Sequence, residues 1–447
     1  MLLSWIQRTA ARTAGSRAPV YSGGRRGLFG MGGGHAPEGT GTSTTRRVAK
    51  RGAILFAQAT ATWYVYGLCV DGVKTHVLQG TRFASSTSGS TGDSALGAEV
   101  ARLQAPRTIP HADGKTPRPA YCGDTARPMH ERMEALVLDQ QDRLVAALES
   151  LDTGSKFVRD RWERDDGRGY GITCVLQDGA VLEKAGVNVS VIEGTLTPGQ
   201  LKSMRDRNPQ TAAVLRDNEE YEFRVAGISV VVHPRNPYAP TAHENFRRFE
   251  VHRKGDGAGR PLLAWFGGGA DLTPAYLFDE DVGHFHGTLK TACDAHDPAY
   301  YPRFKAWCDR YFAIAHRGGE TRGVGGIFFD DLEDKQPEDL FRFVYDASSA
   351  FVAAYVPLVA RRMTAPYSQR HRDWQLVRRG HYAEFNLVYD RGTKFGLMTP
   401  GARIESILMS LPLTARWEYM NSPAPGSPED ALLQCVRTTR DWVAAAK

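Results

Sequence analysis

A histidine and an arginine that could act together lie in a proline-rich segment after a strand-like run. Three prolines stiffen residues 234–240, between His233 and His243, and Arg247 follows four residues later. Proline fixes φ and lowers the entropy of the unfolded chain, so we expect a rigid loop that presents His243 and Arg247 without a metal or a disulfide. A protonatable imidazole beside a guanidinium fork suits an anionic substrate that also exchanges a proton.

A second cluster combines glycines with an aspartate. Residues 265–274 read as a strand that ends in the glycines 267–269, with Asp271 just beyond them. Glycines would let a bulky flat ligand approach the backbone, and Asp271 could accept hydrogen bonds from N–H groups of that ligand. Asp271 could equally cap the turn or helix that follows, which is a common role for Asp before Thr-Pro. The run has neither the GxGxxG nor the GK[ST] pattern of a nucleotide-binding loop.

Two arginines near the C-terminus form a third cluster. Arg391 follows a predicted strand at residues 385–389, and Arg403 stands near the start of a predicted helix. Their guanidinium groups, with the backbone N–H groups of that helix start, could hold carboxylates bidentately. Either arginine could instead be a solvated surface charge or the partner of Glu384 or Asp390. The prediction of a carboxylate site therefore depends on the whole cluster and not on one arginine.

Metal binding is a weaker interpretation of the histidines. On a helix, His284 and His286 are two residues apart and point to different faces. No zinc signature and no 2-His-1-carboxylate set can be found in the sequence, and the six cysteines include no CxxC pair. Asp330 and Asp331 could form a metal pair, although a turn at the end of a strand is simpler. The sequence also has no Rossmann, flavin, haem or P-loop fingerprint, so a redox enzyme of this kind would need an electron-rich substrate.

Charge divides the chain into a leader and a main body. Of the net charge of +6, residues 1–52 carry nine Lys or Arg and one acid, or +8, so the rest carries about −2. The main body therefore gives no support for nucleic-acid binding. The leader's composition predicts an organelle transit peptide, most simply mitochondrial. Residues 53–70 are uncharged and predict a removed apolar segment or a sorting signal for the intermembrane space, with a permanent anchor least favoured.

Strand-like and helical runs alternate in the main body, after an apolar and Ser/Gly/Pro-rich stretch at residues 53–126. Several predicted strands follow one another through loops too short for a crossover helix, which favours antiparallel pairing. We therefore predict one α+β domain at residues 127–447. The predicted strands are 172–176, 187–192, 223–232, 249–252, 262–266, 327–330 and 385–389. The predicted helices are 129–151, 198–207, 279–293, 301–315, 337–362 and 402–410.

Together the three clusters resemble the oxygen-dependent coproporphyrinogen III oxidase family, in its eukaryotic type. The resemblance extends over residues 127–443 and includes the segments 184–190, 323–332 and 384–419. It implies oxidative decarboxylation of two propionates of coproporphyrinogen III to vinyl groups in haem biosynthesis, giving protoporphyrinogen IX, CO₂ and H₂O₂. It implies a large, mostly antiparallel sheet flanked on both faces by helices, and a homodimer. The alternatives are a metal-dependent oxygenase and a porphyrin-binding protein without turnover.

The resemblance also implies roles for particular residues. His243 would be the proton donor, Asp271 would hold the pyrrole N–H groups, and Arg391 would join them as a catalytic group. No cofactor is implied, with O₂ as the co-substrate; a metal, if used, would fall at His233, His243, His286 and His316. The leader and the apolar segment predict location in the mitochondrial intermembrane space, with a plastid as the alternative, and peripheral membrane association is a further expectation. The implied substrate-binding residues are Ser229, Asn245, Phe246, Arg247, Tyr382, Ala383, Glu384, Phe385, Asn386, Leu387, Gly401, Ala402 and Arg403.

Overall fold

Alternation of polar and apolar residues along the strands produces a sheet with two different faces. The computed structural model describes residues 118–256, 259–399 and 401–443. Seven of the nine strands in these residues form one antiparallel sheet in the order β1-β2-β3-β4-β5-β6-β9, and β7 and β8 form a short ribbon. The strands are β1 Val158–Glu163, β2 Gly169–Gln177, β3 Leu182–Thr195, β4 Tyr221–Pro234, β5 Thr241–Arg253, β6 Leu263–Thr273, β7 Ala313–Ile314, β8 Glu320–Thr321 and β9 Gly325–Leu332.

Helices cover both faces of the sheet. The α-helices in the described residues are α1 Met129–Glu149, α2 Pro198–Arg207, α3 Pro209–Val214, α4 Asp279–Asp294, α5 Tyr300–Tyr311, α6 Pro337–Arg362, α7 Gln369–Val388, α8 Arg391–Met398, α9 Ile404–Leu408 and α10 Pro428–Arg437. Short 3₁₀ turns occupy Ala120–Cys122 and Ala315–Arg317. The α+β class and the mostly antiparallel sheet predicted from the sequence are confirmed.

One face of the sheet is apolar and forms the main core. Alternate residues such as Ile228, Phe246 and Ala270 point to this face because side chains alternate along a strand. They are buried together with Phe285 of α4 and Phe341 of α6. Each fully buried large side chain contributes about 1.5–3 kcal/mol of transfer free energy. The opposite face is polar and is covered by α7 and α9.

Helix α6 is the central core helix. Among the described residues it is the one helix long and apolar enough to cross a membrane. Of its most apolar stretch of 18 residues, 94% is buried inside the protein. Burial on all sides explains its apolar composition, since a helix in the middle of a core has no solvated face. The predicted bounds, 337–362, are confirmed.

The strand predicted at residues 385–389 is wrong. These residues form the end of α7, which begins after a capping box made by Ser368 and His371. Periodicity alone cannot distinguish a short apolar run in a helix from one in a strand. The buried charged side chains Arg378 and Arg379 interrupt the apolar face of α7 and concealed the helical pattern. Arg391 therefore follows a helix and opens α8.

His243 also does not lie on the rigid loop that was expected to present it. β4 reaches Pro234 and β5 begins at Thr241, so His243 lies inside a central strand that is hydrogen-bonded to β4 and β6. Glycines 267–269 likewise lie within β6, and Asp271 is a strand residue. The alternative in which Asp271 caps a turn or helix is therefore wrong.

The predicted transit peptide (1–52) and sorting segment lie outside the described residues. The end of the predicted linker, residues 118–126, is packed on the domain. There Cys122 is buried, and Arg118 donates a 3.1 Å hydrogen bond from Nε to Asp346 of α6. Arg132 of α1 fixes this segment by donating to the carbonyl oxygens of Tyr121 and Cys122, both at 2.8 Å.

Glu244 is a buried carboxyl group on the apolar face. It is fully buried, and neither carboxyl oxygen has a hydrogen-bond partner among the described residues. Burial raises the pKa of Glu244 well above its usual value of 4.5. Because the folded pKa lies above the unfolded one, Glu244 destabilises the fold progressively as pH rises above 4.5, by about 1.4 kcal/mol per unit of difference.

We expect Glu244→Gln to raise the free energy of unfolding by more than about 1 kcal/mol at pH 8. The gain should shrink as the pH falls towards 4.5 and vanish below it, where the side chain becomes neutral in the unfolded state as well. Denaturant unfolding at several pH values measures this, with the exposed Glu163→Gln as control. A gain that does not change with pH would contradict the assignment of a neutral Glu244.

Candidate active site

The polar face of the sheet brings together residues from three strands. His243, Asn245 and Arg247 occupy alternate positions of β5 and therefore share one face. The antiparallel register sets His243 opposite Asp271 of β6, and Asn245 opposite Ser229 of β4. Residues far apart in sequence thus meet because three neighbouring strands present their polar positions in the same rows.

His243 and Asp271 form a hydrogen-bonded pair on this face. Nδ1 of the His243 imidazole lies 2.8 Å from Oδ1 of Asp271. The Asp271 side chain is 3% exposed, whereas that of His243 is 23% exposed. The carboxylate therefore orients the imidazole from behind, and the imidazole is the part that a substrate can reach. This arrangement can deliver or accept a proton at Nε2.

Arg322 holds Asp271 ionised. Its Nη2 donates to Oδ1 and Oδ2 of Asp271 at 2.9 and 2.7 Å, and its Nη1 donates to Asn386 Oδ1 at 2.7 Å. Burial alone would raise the pKa of Asp271. The charge of Arg322 and the hydrogen bonds from His243 and Arg322 outweigh burial and lower this pKa below 3.8. Asp271 is thus a buried carboxylate and not a neutral acid at physiological pH.

Three aromatic rings enclose the Arg322 guanidinium. Its Cζ atom lies 4.2 Å from the ring centre of Phe312, 4.4 Å from that of Tyr382 and 5.0 Å from that of Phe385. The β7–β8 ribbon sets Arg322 beside Phe312, since the Arg322 N–H donates to the Phe312 carbonyl at 2.9 Å. Tyr382 and Asn386 come from one face of α7, four residues apart. Arg322 was missed in the sequence, although it directly precedes the segment 323–332.

A line of polar contacts continues from Ser229 to Arg391. Asn245 Nδ2 donates to Ser229 Oγ at 2.6 Å, and Arg247 Nη1 donates to Asn245 Oδ1 at 2.7 Å. Arg247 Nη2 donates to Asp330 Oδ1 at 2.8 Å, and Arg391 Nη2 lies 3.2 Å from Asp330 Oδ2. Ser229, Asn245, Arg247 and Arg391 are therefore brought together as the sequence analysis expected.

Five of the expected substrate-binding residues lie behind the site or in the core. Phe246 is fully buried on the apolar face, because it alternates with Asn245 and Arg247, so its side chain points away from the face that carries His243. Tyr382 and Phe385 are buried against Arg322, and Ala383 is buried beside them on α7. Asn386 is also buried and holds Arg322. These four residues of α7 therefore support the site from behind.

The remaining expected residues lie around the edges of the polar face. Glu384 is paired with Arg317 and His316 and accepts a 2.8 Å hydrogen bond from Trp417 Nε1. These contacts, against the opposing effect of burial, lower the pKa of Glu384 to about 2. Leu387 and Gly401 are exposed, and Ala402 is half-buried.

The two C-terminal arginines reach the sheet at opposite edges. Arg391 pairs with Asp330 of β9, whereas Arg403 pairs with Asp160 of β1. β1 and β9 are the two edge strands, six strand spacings or roughly 29 Å apart. The structure therefore does not bring Arg391 and Arg403 to one carboxylate.

The four histidines of the metal alternative are separated, and each has other partners. His233 Nε2 lies 3.0 Å from the Ser410 carbonyl, and His286 Nδ1 lies 2.9 Å from the Tyr301 hydroxyl. His316 contacts Glu384 at 2.8 Å, and His243 contacts Asp271. Burial lowers the pKa of His286 to about 3. Within the described ranges, no group of three or more His, Cys, Asp and Glu side chains could hold a metal ion.

A cavity of about 860 Å³ lies elsewhere, between α2, α3 and the far ends of β3 and β4. It is lined by four acids and two bases, which makes it unsuitable for a substrate with several carboxylates. The acids are Asp206, Asp217, Glu219 and Glu220, and the bases are Lys202 and Arg205. The polar sheet face with His243 is the better candidate for chemistry.

Comparison with known proteins identifies the family to which this chain belongs. The profile described as "Coproporphyrinogen III oxidase" matches residues 132–442. The chain is 52% identical over 334 residues to the oxygen-dependent coproporphyrinogen-III oxidase of Drosophila melanogaster, covering 74% of this chain and 83% of that protein. It is 54% identical over 316 residues to the mitochondrial enzyme of Homo sapiens, covering 70% and 67%. It is 50% identical over 316 residues to the chloroplastic enzyme of Glycine max, covering 70% and 79%. The chain belongs to the coproporphyrinogen III oxidase family.

Proposed function

We propose that this protein decarboxylates two propionates of coproporphyrinogen III with O₂, giving protoporphyrinogen IX in haem biosynthesis. The observation that carries the proposal is the polar sheet face, where the His243–Asp271–Arg322 group lies beside Arg247. Each step converts –CH₂CH₂COO⁻, O₂ and H⁺ into –CH=CH₂, CO₂ and H₂O₂. The site must therefore bind carboxylates and supply one proton for each propionate that is lost.

His243 is suited to move this proton. With Nδ1–H donating to the ionised Asp271, Nε2 is a proton acceptor in the neutral imidazole and a donor in the imidazolium. A fixed tautomer and a fixed ring orientation are what a general acid–base group requires. Arg247 binds a propionate, and the reduced, electron-rich tetrapyrrole itself gives electrons to O₂.

Asp271 has two possible roles in this reaction. We propose that it polarises a pyrrole N–H so that O₂ adds to the ring, and the resulting peroxide removes a propionate β-hydrogen before CO₂ leaves. Its carboxylate is nearly enclosed by His243 and Arg322, so a pyrrole N–H would have to approach along the His243 side. The hydrogen bond between the two side chains supports most directly a second role, in which Asp271 orients His243.

The proposed reaction is tested by incubating the protein with coproporphyrinogen III in air and under anaerobic conditions. Formation of protoporphyrinogen IX that requires O₂, with H₂O₂ and CO₂ released in equal amounts, is expected. Binding of the porphyrinogen without turnover would support the porphyrin-binding alternative. Failure to form any product in air would refute the proposed function.

We further propose that no metal or other cofactor takes part. Activity should therefore remain within about twofold of its initial value after exhaustive chelation and gel filtration, since the histidines of the metal alternative are engaged with other protein groups. Elemental analysis of the same sample measures the remaining metal. Loss of activity on chelation, with recovery on addition of one divalent metal, would instead establish the metal-dependent oxygenase.

We propose a homodimer formed through the exposed apolar residues near the C-terminus. Trp417, Tyr419 and Met420 are 60%, 97% and 81% exposed, and Met398 of α8 is 82% exposed. Large apolar side chains that are this exposed are typical of protein interfaces when they lie together. Sedimentation or light scattering gives the mass in solution, and Tyr419→Glu should shift it towards the monomer.

We also propose that the protein is imported into mitochondria and acts in the intermembrane space, in peripheral contact with the inner membrane. The basic leader supports import, and relatives in both mitochondria and chloroplasts make an organelle the expected location. Protease protection after import distinguishes intermembrane space from matrix, and extraction with salt tests peripheral membrane contact.

A further inference from the structure

Asp330 lies between two arginines on the polar sheet face. Its Oδ1 accepts from Arg247 Nη2 at 2.8 Å, and its Oδ2 lies 3.2 Å from Arg391 Nη2. Asp330 is buried, whereas the side chains of Arg247 and Arg391 are 28% and 42% exposed. One buried carboxylate thus joins two guanidinium groups that reach the surface of the site.

A β-bulge sets Asp330 in this position. Phe329 pairs with Gly268 and Leu332 pairs with Phe266, so Asp330 and Asp331 together oppose the single residue Gly267. The backbone of Asp331 accommodates the bulge by adopting the left-handed conformation, with a φ of 48°. Bulges of this kind re-aim a side chain and are common beside active sites.

Gly267 leaves the space that the contact needs. A Cβ atom at this position would lie 2.7 Å from Asp330 Oδ1 and 2.9 Å from Arg247 Cζ. Any larger residue would therefore push the carboxylate and the guanidinium apart. A bulge on β9 and a glycine on β6 are two separate features of the backbone that both serve this one contact.

We infer that Asp330 is a positioning residue that couples Arg247 and Arg391 into a single binding unit for two carboxylates of the substrate. This inference rests on the proposed function and names how that site selects its substrate class. The trio carries a net charge of +1, so it attracts an anion while the central carboxylate prevents the two cations from moving apart. Each guanidinium has five N–H donors, and Asp330 occupies only some of them, so both forks remain able to bind a carboxylate.

Arg391 is also held on its other side. Its Cζ lies 5.0 Å from the ring centre of Tyr311, whose hydroxyl accepts from the Arg391 backbone N–H at 3.2 Å. Helix α8 begins at Arg391, with Asp390 as its cap, accepting from Thr393 N–H at 2.6 Å. The position of Arg391 is therefore fixed by the start of α8 and by Asp330 together. A substrate with two carboxylates gains from both arginines, whereas one with a single carboxylate in reach gains from only one.

The test compares Asp330→Asn with a matched variant, Asp281→Asn. Asp281 is a buried aspartate of α4 that also joins two arginines, Arg361 and Arg362 of α6, away from the polar sheet face. In Asp330→Asn the asparagine amide presents N–H groups to one of the two guanidinium groups, so Arg247 and Arg391 should move apart. The KM for coproporphyrinogen III should rise at least about 10-fold in Asp330→Asn, with kcat changed less than about 3-fold. Asp281→Asn should change the free energy of unfolding and leave KM unchanged.

Equilibrium binding tests selection by carboxylate number without turnover. The probes are coproporphyrin III, whose four carboxylates can engage both arginines, and its trimethyl ester, whose single carboxylate can engage only one. Binding of each probe is followed by the quenching of its fluorescence. The preference for the tetracarboxylate should fall at least about 5-fold in Asp330→Asn and stay unchanged in Asp281→Asn. An unchanged preference together with an unchanged KM in Asp330→Asn overturns the inference, while the activity of the unaltered protein still stands. Absence of turnover in the unaltered protein overturns the proposed function instead.

A second set of variants covers the case in which Asp330→Asn does not fold. Arg247→Gln and Arg391→Gln are combined, because two arginines coupled through one carboxylate should not act independently. The loss of coproporphyrin III affinity in the double variant should be at least about 3-fold smaller than the product of the two single losses. Simple multiplication of the single losses overturns the inference.

Discussion

His243→Asn is expected to lower kcat/KM for coproporphyrinogen III by about 10²–10³-fold while changing the free energy of unfolding by less than about 1 kcal/mol. The asparagine amide can still donate to Asp271, so the buried carboxylate keeps a partner on that side. It has no equivalent of the imidazole Nε2, so the proton needed at each decarboxylation has to come from water.

The control for this variant is His130→Gln. His130 of α1 is a partly exposed histidine whose Nδ1 lies 3.8 Å from the Glu250 carboxylate, so it resembles His243 in chemistry. It lies on the helix that covers the opposite face of the sheet, and its replacement should leave turnover unchanged. Near-normal turnover by a folded His243→Asn protein would show that the proton does not pass through this residue.

The fold could be predicted where the sequence pattern is local. The β-branched run of β4 and the long apolar run of α6 have one interpretation each, and the bounds of α6 follow from Pro337 at its start and Arg361 and Arg362 at its end. Helix α7 could not be predicted, because its buried face carries Arg378 and Arg379, whose charges are paired with Glu320 and Glu183 from other elements.

The site was predictable only in part. His243, Asn245 and Arg247 follow from alternation along one strand, and the same rule could have excluded Phe246. Arg322 could not be found in this way, since its role depends on Asp271 in β6, Phe312 before the β7–β8 ribbon and Asn386 in α7. Contacts between separate elements leave no periodic signal in the sequence.

Replacement of either member of the Asp271–Arg322 pair should strongly destabilise the fold. Asp271→Asn leaves a buried guanidinium without its charge partner, and Arg322→Met leaves a buried carboxylate held by His243 alone. Each single change is expected to cost about 3–5 kcal/mol, because an unpaired buried charge keeps its desolvation penalty. The double variant buries neither charge and should cost less than either single change. Chemical denaturation of the four proteins gives the coupling free energy directly.

Activity should not follow stability in this double-mutant cycle. The double variant regains a stable fold, but His243 no longer has an ionised carboxylate to fix its tautomer and to stabilise the imidazolium that forms during proton transfer. We expect kcat/KM to stay at least about 10²-fold below that of the unaltered protein in all three variants. The pair Arg132 and Glu338, between α1 and α6, gives a comparison in which stability should fall without loss of turnover per folded molecule. If the Asp271→Asn protein, or the stable double variant, turned over coproporphyrinogen III at the normal rate, Asp271 and Arg322 would be structural groups only. Recovery of the fold without recovery of turnover would establish that the Asp271–Arg322 pair acts in the chemistry and not merely in holding the sheet together.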